Sequence, residues 1–265
     1  MYKEMIYVGI NDLFNLAGKT AIVTGGGKGL GAEMASALAT AGANVVVCSR
    51  DLEACQLVAN QLKKCGVGSL AIKCDVTNQT EIENVVSETI KEFGNIDILI
   101  NNSGTSWIGP ALELPEDKWD KVMDVNVKGV FLFSQAVAKE MIKQGSGKII
   151  NISSVTGFGG TQPELLDTIA YNTSKGAVMT FTKDLAIKLA RHNIQVNSIA
   201  PGFFPTKISQ QVIDKANSFI LRQIPSRRFG KVEDLHGAIV FLASSASDYM
   251  IGHVLVIDGG ISSLV

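Results

Sequence analysis

From Thr20 almost to the end of the chain, short apolar runs alternate with longer stretches in which apolar residues recur every three or four positions. The runs at Thr20–Thr24, Asn44–Cys48, Ser69–Cys74, Ile96–Ile100, Lys148–Ile152, Ile194–Ile199 and His253–Ile257 predict strands. Between them, Leu30, Met34, Leu38 and Ala41 mark one helix, Leu52, Cys55, Val58 and Leu62 a second, and Ile82 to Phe93 a third. Longer helices are predicted over Pro115–Lys143 and Ile169–Arg191, and a last one near Val232–Ala243. This alternation predicts an α/β protein, a doubly wound sheet of seven parallel strands with helices on both faces. No linker or internal repeat interrupts it, so residues 15–265 read as one domain, preceded by a surface arm over residues 1–14.

Open parallel sheets bind ligands beyond the carboxyl ends of their strands. Those positions hold the stretch Thr24–Gly31 after the first strand, Arg50 after the second, Asp75 after the third and Asn101–Gly104 after the fourth. Ser153 and Ser154 follow the fifth, and Pro201-Gly202 the sixth. Thr24–Gly31 reads TGGGKGLG between a strand and a helix, a layout in which glycine lets backbone N–H groups at a helix N-terminus approach a pyrophosphate. Gly27, Gly29 and Ala32 fit the dinucleotide pattern G-x-G-x-x-G/A of a Rossmann unit. The rival is an ordinary glycine-rich turn. A P-loop fits less well, because Gly18-Lys19-Thr20 precedes a strand rather than a helix.

Composition narrows the partners. A 265-residue chain that is 46% hydrophobic supports a large core, and 24 basic against 25 acidic residues without long charge blocks argue against nucleic acid or an anionic membrane surface. The four cysteines, Cys48, Cys55, Cys65 and Cys74, lie in one short segment without a C-x-x-C pair and read as reduced, buried thiols. A cytoplasmic protein is the expectation, since the N-terminal stretch lacks a sustained apolar run and no segment approaches a membrane span. The three histidines, His192, His236 and His253, have no metal-ligand spacing, and no G-x-S-x-G elbow is present, so neither a zinc enzyme nor a serine hydrolase is indicated.

What remains for acid-base work is Tyr171 and Lys175, four positions apart on one helix face. A phenol titrates near pH ~10, and an adjacent ammonium favours its ionised form. Alone, such a pair is more often a surface contact. Its setting is TGGGKGLG, Asp75-Val76, NNSG at Asn101–Gly104, VNVKG at Val125–Gly129, ISS at Ile152–Ser154, YNTSK at Tyr171–Lys175, and Pro201-Gly202. With these motifs in this order the chain resembles the short-chain dehydrogenase/reductase family along nearly its whole length.

The resemblance implies roles. Tyr171 would pass a proton to or from the substrate oxygen, Lys175 would hold the nicotinamide ribose and lower the phenol pKa, and Ser154 would hydrogen-bond the reacting oxygen. Asn126 would position a water leading from Lys175 to solvent, unless it only satisfies a helix break. Gly25, Gly27, Gly29, Leu30 and Gly31 would hold the pyrophosphate; Asp75 and the Val76 amide would meet the adenine. Asn102 and Gly104 would support the nucleotide and the central strand, and Pro201, Gly202 and Thr206 would lie beside the nicotinamide. Asp75 also reads as a strand end beside a helix cap. Of the adjacent Ser153 and Ser154 only one can face the substrate, and Ser154 is chosen. Two departures stand out: NNSG adds a hydroxyl at Ser103, and the segment FGGTQPELLDT lengthens the Ser154-to-Tyr171 interval and should bulge at the pocket mouth.

The second strand ends Cys48-Ser49-Arg50 rather than in an acid. Ser49, Arg50 and Lys28 therefore favour NADP(H) over NAD(H), with Asp51 as the contrary feature. The irregular stretch 203–229 reads as a substrate loop, with Phe203, Phe204, Ile208, Ile213, Phe219, Ile220 and Ile224 as its apolar face. Within the family, PGFFPTK and the long Ser-to-Tyr segment look most like gluconate 5-dehydrogenases and 3-oxoacyl-thioester reductases. The expected activity interconverts a small-molecule alcohol and ketone, without a metal, in a homotetramer or homodimer formed through the two long helices and the last strand. A nucleotide-binding regulator without turnover, and an isomerase or dehydratase that retains its nucleotide, are the alternatives.

Overall fold

The structure is a computed structural model that describes residues 9–163, 166–205 and 218–264. Seven strands, β1 Thr20–Thr24, β2 Asn44–Ser49, β3 Ser69–Lys73, β4 Ile98–Asn101, β5 Gly147–Ile152, β6 Ile194–Pro201 and β7 Val254–Ile257, form one parallel sheet in the order β3-β2-β1-β4-β5-β6-β7. The order reverses between β1 and β4, so the crevice for a ligand opens where the glycine loop after β1 meets Asn102 after β4. Alternate side chains along a strand supply opposite faces. Ala21 and Val23 join one buried cluster with Val45 and Val47, whereas Ile22 joins the other with Val46 and Leu99.

The helices that lie wholly within the described residues are α1 Ile10–Leu13, α2 Gly29–Thr40, α3 Leu52–Leu62, α4 Gln79–Phe93, α5 Glu116–Met123, α6 Gly129–Gln144, α7 Ile169–Leu189 and α8 His236–Ala243. Their ends follow side-chain chemistry. Asp51 caps α3 by accepting from the Ala54 N–H, Asn78 caps α4 through Thr80 and Glu81, and Gly94 and Gly145 close α4 and α6 in the left-handed conformation. The latter half of the expected arm is a single turn, with Phe14 against Phe241 of α8 and the Leu13 carbonyl accepting from Ser245. Residues 1–8 lie outside the described residues.

Several expectations are corrected. The strand predicted over Ile96–Ile100 runs from Ile98 to Asn101, because the Gln144 side chain takes the Ile96 backbone, accepting from its N–H at 3.0 Å and donating to its carbonyl at 2.9 Å. The helix predicted over Pro115–Lys143 is α5 and α6 joined by a π-helical turn at Asp124–Lys128, which inserts one residue into the α register. Helix α7 tightens into a 3-10 turn at Ala190–His192, and another 3-10 turn, Val232–Leu235, precedes α8. Cys48, Cys55 and Cys74 are buried free thiols, but Cys65 is exposed, since the chain leaves α3 in a surface turn ending at Gly66. No helix of the described residues is long and apolar enough to cross a membrane.

Candidate active site

The glycine loop is held from below by β4. Asn102 Nδ2 donates to the Thr24 carbonyl at 2.9 Å and the Gly25 carbonyl at 3.3 Å, while Thr24 Oγ1 accepts from the Asn102 and Ser103 N–H groups. Gly25 and Gly29 have φ of +64° and +55°, which an L side chain adopts only under strain. At Gly31 a Cβ would lie 2.3 Å from the Gly25 carbonyl oxygen. The loop is therefore a cradle of bare backbone at the start of α2.

From this cradle a cleft of about 350 Å³ runs to Tyr171 and Lys175. Its lining includes Gly25, Lys28, Gly29, Leu30, Gly31, Asn102 and Gly104 at one end and Ser154, Tyr171, Lys175, Pro201 and Gly202 at the other. Ser103, Ser106, Ile108, Ile152, Ser153, Val155, Thr156, Leu166, Thr168, Phe203 and Phe204 complete it. Ser106, Ile108 and Thr156 escape the motif reading. Their only signal in the sequence is that they follow β4 and β5 closely, on the ligand side of the sheet.

The adjacent serines diverge. Ser153 Oγ donates to the Ile199 carbonyl at 2.9 Å inside the sheet, whereas Ser154 caps a 3-10 turn through Thr156 and faces Tyr171. The π turn carries Asn126 inward until it is fully buried. There it donates to Ser174 Oγ and to the Thr105 carbonyl, both at 2.9 Å, and accepts from the Thr105 N–H at 2.8 Å. Asn126 thus ties the loop after β4 to α7 and satisfies all but a fraction of its own bonding capacity.

Lys175 Nζ donates to the Ile152 carbonyl at 2.7 Å and lies 5.4 Å from the centre of the Tyr171 ring. Burial lowers its pKa from 10.5 to about 8. Burial also pushes the Tyr171 phenol up, against the opposing pull of the Ser154 hydroxyl. The ammonium itself is turned to the Ile152 carbonyl.

Lys175 makes one stability prediction with a definite sign. Its folded pKa lies below its unfolded one, so between pH 8 and 10.5 the unfolded chain holds the extra proton. The burial penalty is complete below pH 8 and fades as pH rises through that window. The shift corresponds to about 3 kcal/mol, less about 1 kcal/mol for the bond to Ile152. Lys175→Met should raise the thermal midpoint of the nucleotide-free protein by several degrees at pH 7, and the gain should shrink toward pH 10 in a series of calorimetric scans.

The remaining predicted residues surround the glycine loop, and of those described only Lys28 also lines the cleft. Gly27 packs on the start of α3, where a Cβ would lie 3.2 Å from Cys55 Sγ. Lys28 Nζ is paired with Asp51 at 2.6 Å, and both side chains are at least half exposed, so the pair is weakly held. Asp51 is thereby engaged twice, by Lys28 and as the cap of α3. Ser49 Oγ donates to the Asp51 carbonyl, and Arg50 is exposed. Asp75 accepts from the Thr77 N–H and hydroxyl; burial acts to raise its pKa, but these bonds and Arg50 hold it below the usual carboxylate range. Val76 is buried against Gly129, the first residue of α6. Thr206 and the loop positions 207–217, with Ile208 and Ile213, lie outside the described residues.

Comparison with known proteins supplies the context. The family model described as short chain dehydrogenase matches residues 19–217. The chain is 41% identical over 255 residues to 5-keto-D-gluconate 5-reductase of Escherichia coli, covering 95% of this chain and 98% of that one. It is 36% identical over 243 residues to a 3-oxoacyl acyl-carrier-protein reductase of Staphylococcus aureus, covering 91% and 97%. The crystal structure of a gluconate 5-dehydrogenase from Burkholderia cenocepacia in complex with NADP and tartrate superimposes with a TM-score of 0.92. It is 37% identical and covers 97% of this chain and 100% of that one.

Proposed function

Because the chain belongs to the short-chain dehydrogenase family and is an oxidoreductase of that family, we propose that it interconverts a secondary alcohol and a ketone with NADP(H), using Tyr171 as general acid or base. The observation that carries this reading is the single cleft that joins the glycine cradle to Tyr171, Ser154 and Lys175. The cradle fits a dinucleotide, since its open backbone and the helix N-terminus behind it suit a pyrophosphate.

When bound, the nicotinamide supplies or accepts the hydride. The chain does the rest. Ser154 holds the carbonyl oxygen, and Tyr171, kept protonated by burial, donates its proton to that oxygen in reduction and takes one back in oxidation. Lys175 binds the ribose beside it, and Asn126 keeps α7 and the loop after β4 in register. Gly25, Gly27, Gly29, Leu30 and Gly31 bind the pyrophosphate, Asn102 and Gly104 the nucleotide above the central strand, and Asp75 with Val76 the adenine. Pro201, Gly202 and Thr206 would hold the carboxamide. Ser49, Arg50 and Lys28 bind the 2′-phosphate; the exposed Lys28–Asp51 pair gives up little when Lys28 turns to a dianion.

Relatives named for keto sugar acids support a keto sugar acid as substrate, and the apolar lining from Ile108, Val155, Leu166, Phe203 and Phe204 supports a 3-oxoacyl thioester. The test is NADPH oxidation with 5-ketogluconate and acetoacetyl thioester in parallel, repeated with NADH. Arg50→Ala should raise KM for NADPH by roughly 10- to 100-fold, as the loss of a charge-assisted bond implies, and leave KM for NADH unchanged. Equal effects on both nucleotides would remove the 2′-phosphate role.

Residues 15–265 act as a single catalytic domain in this reading, and copies associate through α6, α7 and the edge strand β7. Phe131, Ile187 and Val256 on these elements are 45%, 74% and 36% exposed, more than a free surface favours. Light scattering should give a dimer or tetramer, and a monomer at micromolar concentration would end the assembly part of the reading.

A further inference from the structure

The segment between Ser154 and α7 is held by a clasp that proton transfer and nucleotide binding do not use. Asn172, next to Tyr171, accepts from Thr168 Oγ1 at 3.0 Å and donates through Nδ2 to Thr161 Oγ1 at 2.9 Å. Thr161 Oγ1 donates in turn to the Leu166 carbonyl at 2.6 Å. One residue on, the Asp167 carbonyl accepts from the Gly109 N–H at 3.0 Å, which joins this segment to the loop after β4. Leu166 and Thr168 line the cleft, and so does Ile108 beside Gly109. Asn172 thus ties both ends of this segment, and the Asp167 carbonyl ties the segment to the loop after β4, so the two form one wall of the site.

That wall is apolar with isolated hydroxyls: Ile108, Leu166, Phe203 and Phe204, with Ser106 and Thr168. Among the described residues, Lys175 is the cation that lines this half of the cleft, and it holds the Ile152 carbonyl. A carboxylate against such a wall loses its hydration for a few hydroxyl contacts, whereas an alkyl group gains by burial.

Resting on the hydride-transfer reading above, we propose that Asn172 is a positioning residue that fixes Leu166 and Thr168 as the specificity wall of the cleft. The wall so held selects a ketone bearing an apolar substituent over one bearing a carboxylate. The hydroxyl of Thr168 serves the clasp, so the selection falls mainly to Leu166 and Ile108.

The experiment is steady-state reduction by the full chain with NADPH, comparing ethyl acetoacetate with 5-ketogluconate. The expected kcat/KM favours ethyl acetoacetate by at least about tenfold, the scale on which an apolar pocket discriminates. Asn172→Ala should raise KM for ethyl acetoacetate by about tenfold, as the loss of two hydrogen bonds implies, with kcat and the Kd of NADPH unchanged. Thr161→Val, at the far end of the clasp, should act in the same direction, and Thr168→Ser, which keeps the hydroxyl, should behave as the wild type. A preference for 5-ketogluconate overturns the substrate class while leaving hydride transfer in place. An unchanged KM in both Asn172→Ala and Thr161→Val overturns the positioning role. Absence of NADPH oxidation with either ketone removes the hydride-transfer reading itself, and the specificity wall with it.

Discussion

Tyr171→Phe should lower kcat for ketone reduction by roughly 10²- to 10⁴-fold, the contribution expected of a positioned general acid, while NADPH binds as before. The substitution removes one hydroxyl and keeps a half-buried ring against which Lys175 sits at 5.4 Å. Packing and nucleotide affinity are then preserved, and the loss belongs to the proton. The pH profile separates this from a packing effect. Burial holds the phenol above its ordinary value, so it is protonated through neutral pH and donates in the reductive direction. Wild-type reduction should stay level through neutrality and decline in the alkaline range as the phenol ionises, and the residual activity of Tyr171→Phe should lack that decline. Stopped-flow traces of NADPH oxidation read both quantities. A variant that keeps more than about a tenth of wild-type kcat would assign the proton to another group.

Gly31→Ala is expected to have the second large effect, on binding rather than chemistry. A Cβ at Gly31 would lie 2.3 Å from the Gly25 carbonyl oxygen and 2.5 Å from Asn102 Nδ2. Neither can give way cheaply, because Gly25 is backbone and Asn102 is held by its bonds to Thr24 and Gly25. The cradle must open, at a cost of about 1 to 3 kcal/mol typical of overpacking. NADPH affinity should fall by up to about a hundredfold, the equivalent of the upper end of that cost, since the shift is coupled to the pyrophosphate contacts. Gly29→Ala provides the contrast. Nothing lies within 4 Å of a Cβ there, so only the positive φ of +55° opposes it, at about 1 kcal/mol. Fluorescence titration of NADPH with both variants should rank Gly31→Ala far below Gly29→Ala. Equal losses would mean that backbone conformation, and not close approach, is what the loop requires.

Local pattern carried much of this protein. The apolar alternation at Ala21–Val23 and Val45–Val47 reports burial on both faces of a strand, so the parallel sheet is readable without coordinates. The glycine loop is equally local, since its job depends on adjacent residues that lack side chains. Element ends were less legible wherever a distant partner decided them. Ile96 is left out of a strand that its apolar neighbours suggest, because the Gln144 side chain, far away in the chain, claims both of its backbone groups. The π turn at Asp124–Lys128 has no periodic signature of its own; it exists where Asn126 must reach both Thr105 and Ser174.

The amino-acid sequence by itself determined the fold class, the order of the strands along the chain, the place of the nucleotide cradle and the pairing of Tyr171 with Lys175 on one helix face. Each of these rests on interactions within a few residues or on a periodicity that burial imposes. Only the tertiary structure decided that Ser154 and not Ser153 faces Tyr171, that Lys28 rests on Asp51, and that Lys175 is turned to the Ile152 carbonyl. It alone brought Thr161, Thr168 and Asn172 into one clasp beside Leu166. These outcomes depend on which polar groups meet once the sheet has closed, and on desolvation, which exists only after folding and which moves the phenol and the ammonium away from their ordinary values.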